Sequence, residues 1–341
     1  MRVLLVKTSS LGDLIHTFPA LSDAAAALPG IRFDWLVEEN FAEVPAWHPA
    51  VEQAIPIGLR RWRRGWRKAM ASGEIRDLRR RLRAQGYDHV IDAQGLLKSA
   101  IPARWARAPV AGYDRRSARE PLASTFYSRR FAVPRQQHAI ARIRQLFAQA
   151  LDYPLAGGEV DYGLRFAHLH DASERRLVFL HGTTWPSKHW PEPFWAELVH
   201  LASEAGYAVD LPWGDPDDRL RAERIISAAG GGRLLPHLSL TELARTLAGA
   251  QGVVGVDSGL AHLAAAVDTP AVTLYGPTRT DLTGALGPRQ KNLAAEFECA
   301  PCMQRICSYT AATPVRPACF MSLDPRRVFT ELEAQIRDGA G

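Results

Sequence analysis

The sequence lacks the features that mark several common classes of protein. Its 341 residues include no apolar run close to the ~20 residues that a membrane-spanning helix needs. Residues 1–7 lead directly into a strand-like segment, without the basic and apolar regions of a signal peptide, so we expect a cytoplasmic protein. No G-x-G-x-x-G motif follows the first predicted strand, which argues against a nucleotide-sugar epimerase or dehydrogenase.

Cysteine is scarce and unevenly placed. The four cysteines, Cys299, Cys302, Cys307 and Cys319, all fall late in the chain. In a cytosolic protein, clustered cysteines indicate a metal site more often than a disulfide. Their spacing matches no standard zinc pattern closely. A structural metal, a disulfide and free thiols therefore all stay open at this point.

The residues that are present indicate a packed globular chain with an uneven charge. Hydrophobic residues make up 47% and charged residues 23% of the chain, and its length allows two domains. The net charge is +6, yet residues 60–83 alone carry eleven Lys and Arg against two acids. Such a stretch favours a polyanion or an anionic membrane surface. A solvated helix face is the alternative for residues 76–83.

Strand-like and helical segments alternate along both halves of the chain. In the first half, residues 2–7, 33–37 and 88–92 have the composition of strands, and residues 11–27 carry helical spacing. The alternation of strand-like and helical segments stops in residues 153–174, which we interpret as a linker, and then resumes. This alternation predicts an α/β fold with a parallel sheet and helices on both of its faces in each half. Ligands of such sheets bind beyond the carboxyl ends of the strands.

Residues 254–266 have the pattern of a buried strand, a tight turn and the start of a helix. Free backbone N–H groups at such a helix start, together with the helix dipole, form a site for an anion. Gly259 lets a phosphate approach the backbone, and His262 lies within the first helical turn. An ordinary turn into a helix capped by Ser258 is the alternative.

Two other loops of the second half carry polar side chains just after predicted strands. Thr183 and Thr184 offer hydroxyl and N–H groups to phosphate oxygens, and Lys188 can neutralise a leaving diphosphate. Asp218 can accept hydrogen bonds from ribose hydroxyls, although capping of the next helix by Asp217 or Asp218 also explains it. The threonine pair with a lysine on one loop favours an anionic ligand.

The first half offers a candidate base and a cationic cluster. Asp13 lies at the start of a predicted helix, where a carboxylate can act as a general base on a hydroxyl or can complement the helix dipole. A cluster of arginines follows at Arg60, Arg61, Arg63 and Arg64. Guanidinium groups recognise carboxylates and phosphates. The same groups suit a nucleic-acid-binding protein, for which the ordered motifs of the second half would be superfluous.

Six motifs, in order along the chain, resemble those of one enzyme family. They are residues 9–13, 181–184, 188–191, 211–214, 257–262 and 275–278. Together they resemble the bacterial ADP-heptose:lipopolysaccharide heptosyltransferases of glycosyltransferase family 9. Residues 34–39, 60–63 and 91–96 resemble the members that add the first heptose more than those that add the second.

The resemblance implies a GT-B fold, in which two Rossmann-like, doubly wound domains face a central cleft. Residues 1–160 would bind the acceptor, residues 175–320 would bind ADP-heptose, and a last helix in residues 321–341 would pack back on the first domain. The implied reaction is an inverting, metal-independent transfer of L-glycero-D-manno-heptose from ADP-heptose to the Kdo of Kdo2-lipid A, without a cofactor. Addition of the second core heptose is the alternative within the family.

The same resemblance implies roles for individual residues. Asp13 would be the general base, and Lys188 would stabilise the leaving ADP. The donor would be bound by Thr183, Thr184, Lys188, Asp218, Leu238, Asp257, Ser258, Gly259 and His262. The acceptor would be bound by Lys7, Arg60, Arg61, Arg63 and Arg64. The implied partners are ADP-heptose, Kdo2-lipid A and the anionic inner leaflet, with the enzyme peripheral on the cytoplasmic face of the inner membrane and no nucleic acid bound.

Overall fold

Two compact units, residues 1–164 and 165–341, make up the chain. The computed structural model describes residues 1–155, 157–164, 166 and 175–338. Much of the predicted linker, namely residues 156, 165 and 167–174, therefore lies outside the described residues. Each unit is built on one six-stranded sheet.

The sheet of the first unit is entirely parallel. Its strands are β1 (Arg2–Val6), β2 (Arg32–Glu38), β3 (Val51–Ile57), β4 (His89–Asp92), β5 (Val110–Tyr113) and β6 (Arg129–Phe131). They lie in the order β3-β2-β1-β4-β5-β6. The apolar run from Val3 to Val6 in β1 is fully buried, as expected for a central strand that is covered by helices on both faces.

Short helices connect these strands. They are α1 (Leu11–Ile15), α2 (Phe18–Ala27), α3 (Leu59–Arg64), α4 (Trp66–Ala71), α5 (Glu74–Ala84), α6 (Leu97–Ala103) and α7 (Ala139–Leu151), with 3₁₀ turns at Glu39–Phe41, Val44–Trp47, Arg104–Ala106 and Pro121–Phe126. The helical spacing of residues 11–27 corresponds to two helices, α1 and α2, with a break at His16 and Thr17. Pro19 lies in the first turn of α2, where its missing N–H is tolerated but a continuous helix is not.

The second sheet repeats the topology of the first. Its strands are β7 (Arg176–Leu180), β8 (Ala208–Leu211), β9 (Arg233–Leu234), β10 (Gly252–Val256), β11 (Ala271–Tyr275) and β12 (Gln290–Ala294). They lie in the order β12-β11-β10-β7-β8-β9, again all parallel. In both units the first strand therefore pairs with the second on one side and the fourth on the other, which is the doubly wound arrangement. The α/β prediction is confirmed.

The helices of the second unit bury an aromatic core against this sheet. They are α8 (Glu192–Glu204), α9 (Pro216–Ala229), α10 (Leu240–Ala248), α11 (Gly259–Ala266), α12 (Thr280–Thr283) and α13 (Pro325–Asp338), with 3₁₀ turns at Pro186–Lys188 and Ala318–Ser322. Phe179, Trp190, Trp195 and Phe320 are fully buried within this core. None of the described helices is long and apolar enough to cross a membrane.

The last helix, α13, packs closely on the second sheet. A Cβ atom built on Gly252 of β10 would come within 2.9 Å of Ile336 Cδ1 and 3.0 Å of Leu332 Cδ1. Glycine at this position therefore lets α13 approach the strand. The packing of residues 321–341 on the first domain stays a prediction.

Candidate active site

Two groups of polar side chains lie where the strand order of each sheet reverses. In the first unit the reversal falls between β1 and β4, and in the second it falls between β7 and β10. The loops that leave the carboxyl ends of adjacent parallel strands diverge at such a point and open a crevice for ligands. The predicted base lies on the loop and helix after β1, and the predicted diphosphate residues lie after β7 and β10.

Asp13, in the first turn of α1, is held by two cations and a backbone N–H group. Lys7 Nζ lies 3.2 Å from Asp13 Oδ1, and Arg119 lies 3.6 Å from Asp13 Oδ2. Ser10 N donates a hydrogen bond of 3.1 Å to Asp13 Oδ2. The side chain of Lys7 is 4% exposed and that of Asp13 is 27% exposed, so a ligand can reach the carboxylate.

The electrostatics of this group keep Asp13 ionised. Burial by itself raises the pKa of Asp13, but the charges of Lys7 and Arg119 and the Ser10 N–H group outweigh it and lower the pKa well below its usual range. The carboxylate is therefore ready to accept a proton at any working pH. Its basicity is weak as long as both cations stay close.

Gln94, which follows β4, fixes the loop between β1 and α1. Its Oε1 atom accepts hydrogen bonds from Thr8 N at 3.0 Å and from Ser9 N at 3.3 Å. The neighbouring Ala93 carbonyl accepts a bond of 3.1 Å from Lys7 Nζ. The N–H group of Gln94 in turn donates to the buried Asp92 carboxylate at 2.9 Å. Sequence reasoning missed this role, because a single glutamine gives no signal of its own.

Lys98 is a second residue that sequence reasoning missed. Its Nζ atom donates a hydrogen bond of 3.1 Å to Ser9 Oγ, in the loop before Asp13. Partial burial lowers the pKa of Lys98, and the nearby charges of Arg60 and Arg119 lower it further. Lys98 therefore adds a further cation beside the loop that carries Asp13.

The four arginines of α3 do not share one role. All four are exposed, but Arg61 forms ion pairs with Glu39 and Glu74, and the side-chain hydrogen bonds of these pairs raise its pKa. Arg63 and Arg64 have no carboxylate partner within the described part of the chain. They are thus better placed than Arg61 to meet an anionic ligand.

Asp257, at the carboxyl end of β10, organises the second group. Lys188 Nζ lies 2.7 Å from Asp257 Oδ2, and Thr278 Oγ1 donates to the same oxygen at 2.6 Å. His262 Nε2 lies 3.9 Å from Asp257 Oδ1, and Thr183 Oγ1 donates to the Asp257 carbonyl at 3.4 Å. The structure thus brings the predicted Lys188 and His262 together around one buried carboxylate, with Thr183 at the backbone carbonyl of the same residue.

The start of α11 lies at the carboxyl end of β10, where the sequence predicts an anion site. Ser258 precedes the helix in an extended conformation, but its side chain makes no capping hydrogen bond. Its Oγ atom is buried and has no hydrogen-bond partner among the described residues. The alternative of a side-chain cap is therefore wrong. The N–H groups in the first turn of a helix have no intrahelical acceptor, so those after Ser258 can serve a bound phosphate.

Asp218 lies against the loop that follows β7. A Cβ atom built on Gly182 would come within 2.8 Å of both Asp218 carboxylate oxygens. Burial, and then the charge of Asp215, raise the pKa of Asp218. The cap of α9 is Asp215, whose Oδ1 atom accepts a bond of 2.9 Å from Asp218 N, so capping by Asp217 or Asp218 is wrong. Leu238 is half-buried in the loop after β9.

The cysteines occur together beside the loop that carries Lys188. All four are free thiols, and together with Ser187 and Tyr309 they line one cavity. Burial raises the pKa of Cys319 to about 12. Ser187 donates from Oγ to the Gln304 carbonyl at 2.6 Å, so the cysteine loop supports the Lys188 loop. Among the described residues, no three His, Cys, Asp or Glu side chains are grouped so that they could hold a metal ion.

A helix start that can bind a phosphate, and an ionised carboxylate among cations, fit a nucleotide-sugar glycosyltransferase on doubly wound sheets. The family model "Glycosyltransferase family 9 (heptosyltransferase)" matches residues 75–313. This chain belongs to glycosyltransferase family 9, as its motifs predict.

Relatives of known function agree with this assignment. The chain is 54% identical over 348 residues to lipopolysaccharide heptosyltransferase 1 of Pseudomonas aeruginosa, covering 98% of each chain. It is 28% identical over 312 residues to lipopolysaccharide heptosyltransferase 2 of Escherichia coli, covering 85% of this chain and 87% of that one. The solved structure of E. coli heptosyltransferase WaaC with ADP matches with a TM-score of 0.87 and 44% identity, over 98% of this chain and 100% of that one. The predicted GT-B fold is confirmed.

Proposed function

We propose that the chain transfers L-glycero-D-manno-heptose from ADP-heptose to the Kdo of Kdo2-lipid A, with inversion at the anomeric carbon. The observation that carries this proposal is the 54% identity, over nearly all of both chains, to a heptosyltransferase 1. Identity to a heptosyltransferase 2 is only 28%. Addition of the first heptose is therefore favoured over addition of the second.

The second unit supplies the groups for the donor. The diphosphate binds at the start of α11, at Ser258 and Gly259, where the helix dipole and free N–H groups favour negative charge. Lys188 and His262, held beside Asp257, lie close to this helix start. Thr183 and Thr184 add hydroxyl donors, while Asp218 and Leu238 contact the nucleoside or the sugar.

The first unit supplies the groups for the acceptor. An acceptor carboxylate or phosphate binds Lys7 together with the arginines of α3, of which Arg63 and Arg64 are free of carboxylate partners in the described residues. Lys7 also holds down the pKa of Asp13. An anion bound to Lys7 offsets its charge, so the basicity of Asp13 increases when the acceptor arrives.

The reaction is a single displacement. The acceptor hydroxyl oxygen forms a bond to the anomeric carbon of heptose, and its proton passes to Asp13. The bond between that carbon and the β-phosphate oxygen breaks, and its electron pair leaves on ADP. Lys188 and the α11 helix start stabilise the developing charge. These cations and N–H groups perform the task that a divalent metal performs in other glycosyltransferases, so we expect no metal requirement.

Because the acceptor is a lipid, we also propose that the enzyme works peripherally at the anionic cytoplasmic face of the inner membrane. The exposed arginines of α3 support this, since basic groups are attracted to anionic leaflets. The ordered donor motifs of the second unit disfavour the alternative of a nucleic-acid-binding protein.

Product analysis tests the proposal. The purified chain is incubated with ADP-heptose or UDP-glucose, and with Kdo2-lipid A or its monoheptosylated form. Transfer from ADP-heptose to Kdo2-lipid A alone is the expected outcome. Transfer only to the monoheptosylated acceptor would instead identify addition of the second heptose.

Asp13→Asn serves as the matched catalytic variant. Asparagine preserves the shape of the aspartate side chain but cannot accept the proton, so turnover should fall about 100-fold or more. The ADP affinity measured by calorimetry should stay unchanged. Near-normal turnover would remove Asp13 from the mechanism.

A further inference from the structure

The main lysine of the proposed donor site is already paired with a carboxylate. Lys188 Nζ lies 2.7 Å from Asp257 Oδ2, and the two side chains are only 16% and 6% exposed. A close pair of opposite charges attracts a diphosphate less strongly than a free lysine does, because the carboxylate repels the ligand while the ammonium attracts it. We therefore expect the donor site to use a further cation that no carboxylate neutralises.

Arg305 is such a cation. It is exposed in residues 295–317, here called the cysteine loop, which connect β12 with the 3₁₀ turn at Ala318–Ser322. It forms no ion pair with a carboxylate of the residues that the structure describes. Its Nη2 atom donates a hydrogen bond of 3.3 Å to the carbonyl oxygen of Thr184. The guanidinium group therefore lies directly beside a residue that is proposed to bind the donor.

Backbone hydrogen bonds hold the cysteine loop in this position. Ser187 donates from Oγ to the Gln304 carbonyl at 2.6 Å and from N to the Arg305 carbonyl at 3.2 Å. Met303 N donates to the Pro277 carbonyl at 2.7 Å. Ser187 precedes the lysine of the ion pair, and Pro277 precedes the threonine that bonds to its carboxylate. The loop is thus bound to the segments on both sides of the pair.

Other arginines near the proposed donor residues are paired with carboxylates. Arg221, three residues after Asp218, lies 3.2 Å from Glu192. Arg279, which follows the loop after β11, forms an ion pair with Asp281. Each of these would have to give up a carboxylate to bind a ligand. Among them, Arg305 carries a positive charge that is available without such an exchange.

We infer that the guanidinium group of Arg305 binds the diphosphate of the donor and stabilises the charge that ADP gains when its bond to heptose breaks. A guanidinium presents several N–H groups in a planar fork that matches two phosphate oxygens. One N–H can stay on the Thr184 carbonyl while the others bind phosphate. The inference deepens the proposed function and rests on it, and it gives the cysteine loop a role in the reaction that its thiols do not indicate.

Calorimetry with ADP tests the inference without the acceptor. Arg305→Gln removes the charge but keeps an amide donor. We expect the ADP affinity to fall about tenfold or more at low ionic strength, because a charge-assisted contact with phosphate is lost. The loss should shrink as salt is added. The affinity for adenosine, which has no phosphate, should stay unchanged when it is measured by competition with ADP.

Two variants separate the charge from the structure of the loop. Arg305→Lys keeps the charge without the planar fork, so it should recover part of the ADP affinity. Arg316→Gln is the matched control, since Arg316 is also exposed on the cysteine loop and its guanidinium donates to the Tyr309 carbonyl at 2.7 Å. Its contacts stay within that loop, so Arg316→Gln should bind ADP like the wild type.

Three results would overturn the inference. The first is an unchanged ADP affinity in Arg305→Gln, with thermal melting showing that the variant is folded. The second is an equal loss of ADP and adenosine affinity, which would indicate a distorted loop instead of a lost contact with phosphate. The third is an equal loss of ADP affinity in Arg305→Gln and Arg316→Gln, which would indicate the same.

The outcomes also distinguish this inference from the proposed function. If heptose transfer fails but ADP binding depends on Arg305 as described, the diphosphate contact stands and the proposed function fails. If the wild type transfers heptose and Arg305→Gln matches it in both ADP affinity and turnover, the inference fails and the proposed function stands.

Discussion

Gln94→Leu removes an acceptor that two buried backbone N–H groups share. The Oε1 atom of Gln94 accepts hydrogen bonds from Thr8 N and Ser9 N, in the loop that leads to Asp13. Leucine has a similar size and no acceptor, and Gln94 is 2% exposed, so little solvent can replace the lost bonds. The loop must either keep two unpaired N–H groups or move.

The magnitude follows from these two bonds. A buried donor left without a partner costs about 1–3 kcal/mol, so the pair costs roughly 2–6 kcal/mol if the loop stays in place. Movement of the loop avoids part of this cost but displaces Asp13. A displacement of about 1 Å at a catalytic group is worth on the order of 100-fold in rate. We therefore expect turnover to fall about 100-fold, with a lower melting temperature.

Steady-state kinetics with ADP-heptose and Kdo2-lipid A measure this effect, and calorimetry measures ADP affinity. The proposed donor groups lie in the second unit, so ADP affinity should stay unchanged in Gln94→Leu. Gln94→Glu keeps an oxygen acceptor at this position, whether or not it is ionised, and should recover much of the activity. Rescue by Glu separates the hydrogen bonds from simple packing.

Gln149→Leu is the matched control for the Gln94 series. Gln149 is exposed on α7, and its side chain makes no hydrogen bond within the described residues, so the same substitution there should change neither turnover nor stability. Normal turnover in a folded Gln94→Leu variant would refute the positioning role of Gln94. A parallel loss of ADP affinity would show that the effect is not confined to the Asp13 loop.

Three further outcomes are expected. Lys188→Met should weaken ADP binding about 10- to 100-fold, because a charge-assisted contact is lost and the carboxylate of Asp257, 2.7 Å from Lys188 Nζ, is left uncompensated; an unchanged affinity by calorimetry would place Lys188 outside the donor site. Lys7→Met should raise the pKa of Asp13, because Lys7 lowers this pKa and burial raises it. The acidic limb of the pH–rate profile should therefore move to higher pH, whereas the wild type should stay active below the usual aspartate range. Identical pH profiles would contradict this coupling. Activity should withstand excess EDTA over minutes, and immediate loss that Mg²⁺ restores would refute metal independence, whereas slow loss that follows unfolding would indicate a structural ion at the cysteines.

The sequence by itself determined the central strands and the loops that follow them. The apolar runs of β1 and β10 predict strands that are covered on both faces, because only a central parallel strand buries every side chain. Small and polar residues directly after these runs predict turns and helix starts. The proposed anion site at Ser258 and Gly259 depends on the local backbone alone. These features are encoded within a dozen neighbouring residues.

The tertiary structure decided which strands form the sheet edges. The strands β9 and β12 were not predicted, because β9 has two residues and most of the side chains of β12 are not buried. Their backbone groups pair because a neighbouring strand is already in place. Short edge strands therefore depend on the sheet and carry little pattern of their own.

The partners of the functional side chains were likewise decided only in three dimensions. Gln94 meets Thr8 across 86 positions of sequence, and Ser187 of the Lys188 loop meets Gln304 across 117. The sequence also gave no reason to separate Arg61, which pairs with two glutamates, from Arg63. Strand order brings such distant residues together. Hydrogen bonds and close charge pairs need side chains within a few ångströms of each other. The hydrogen-bond partners and pKa values of these side chains therefore follow from the fold and not from spacing along the chain.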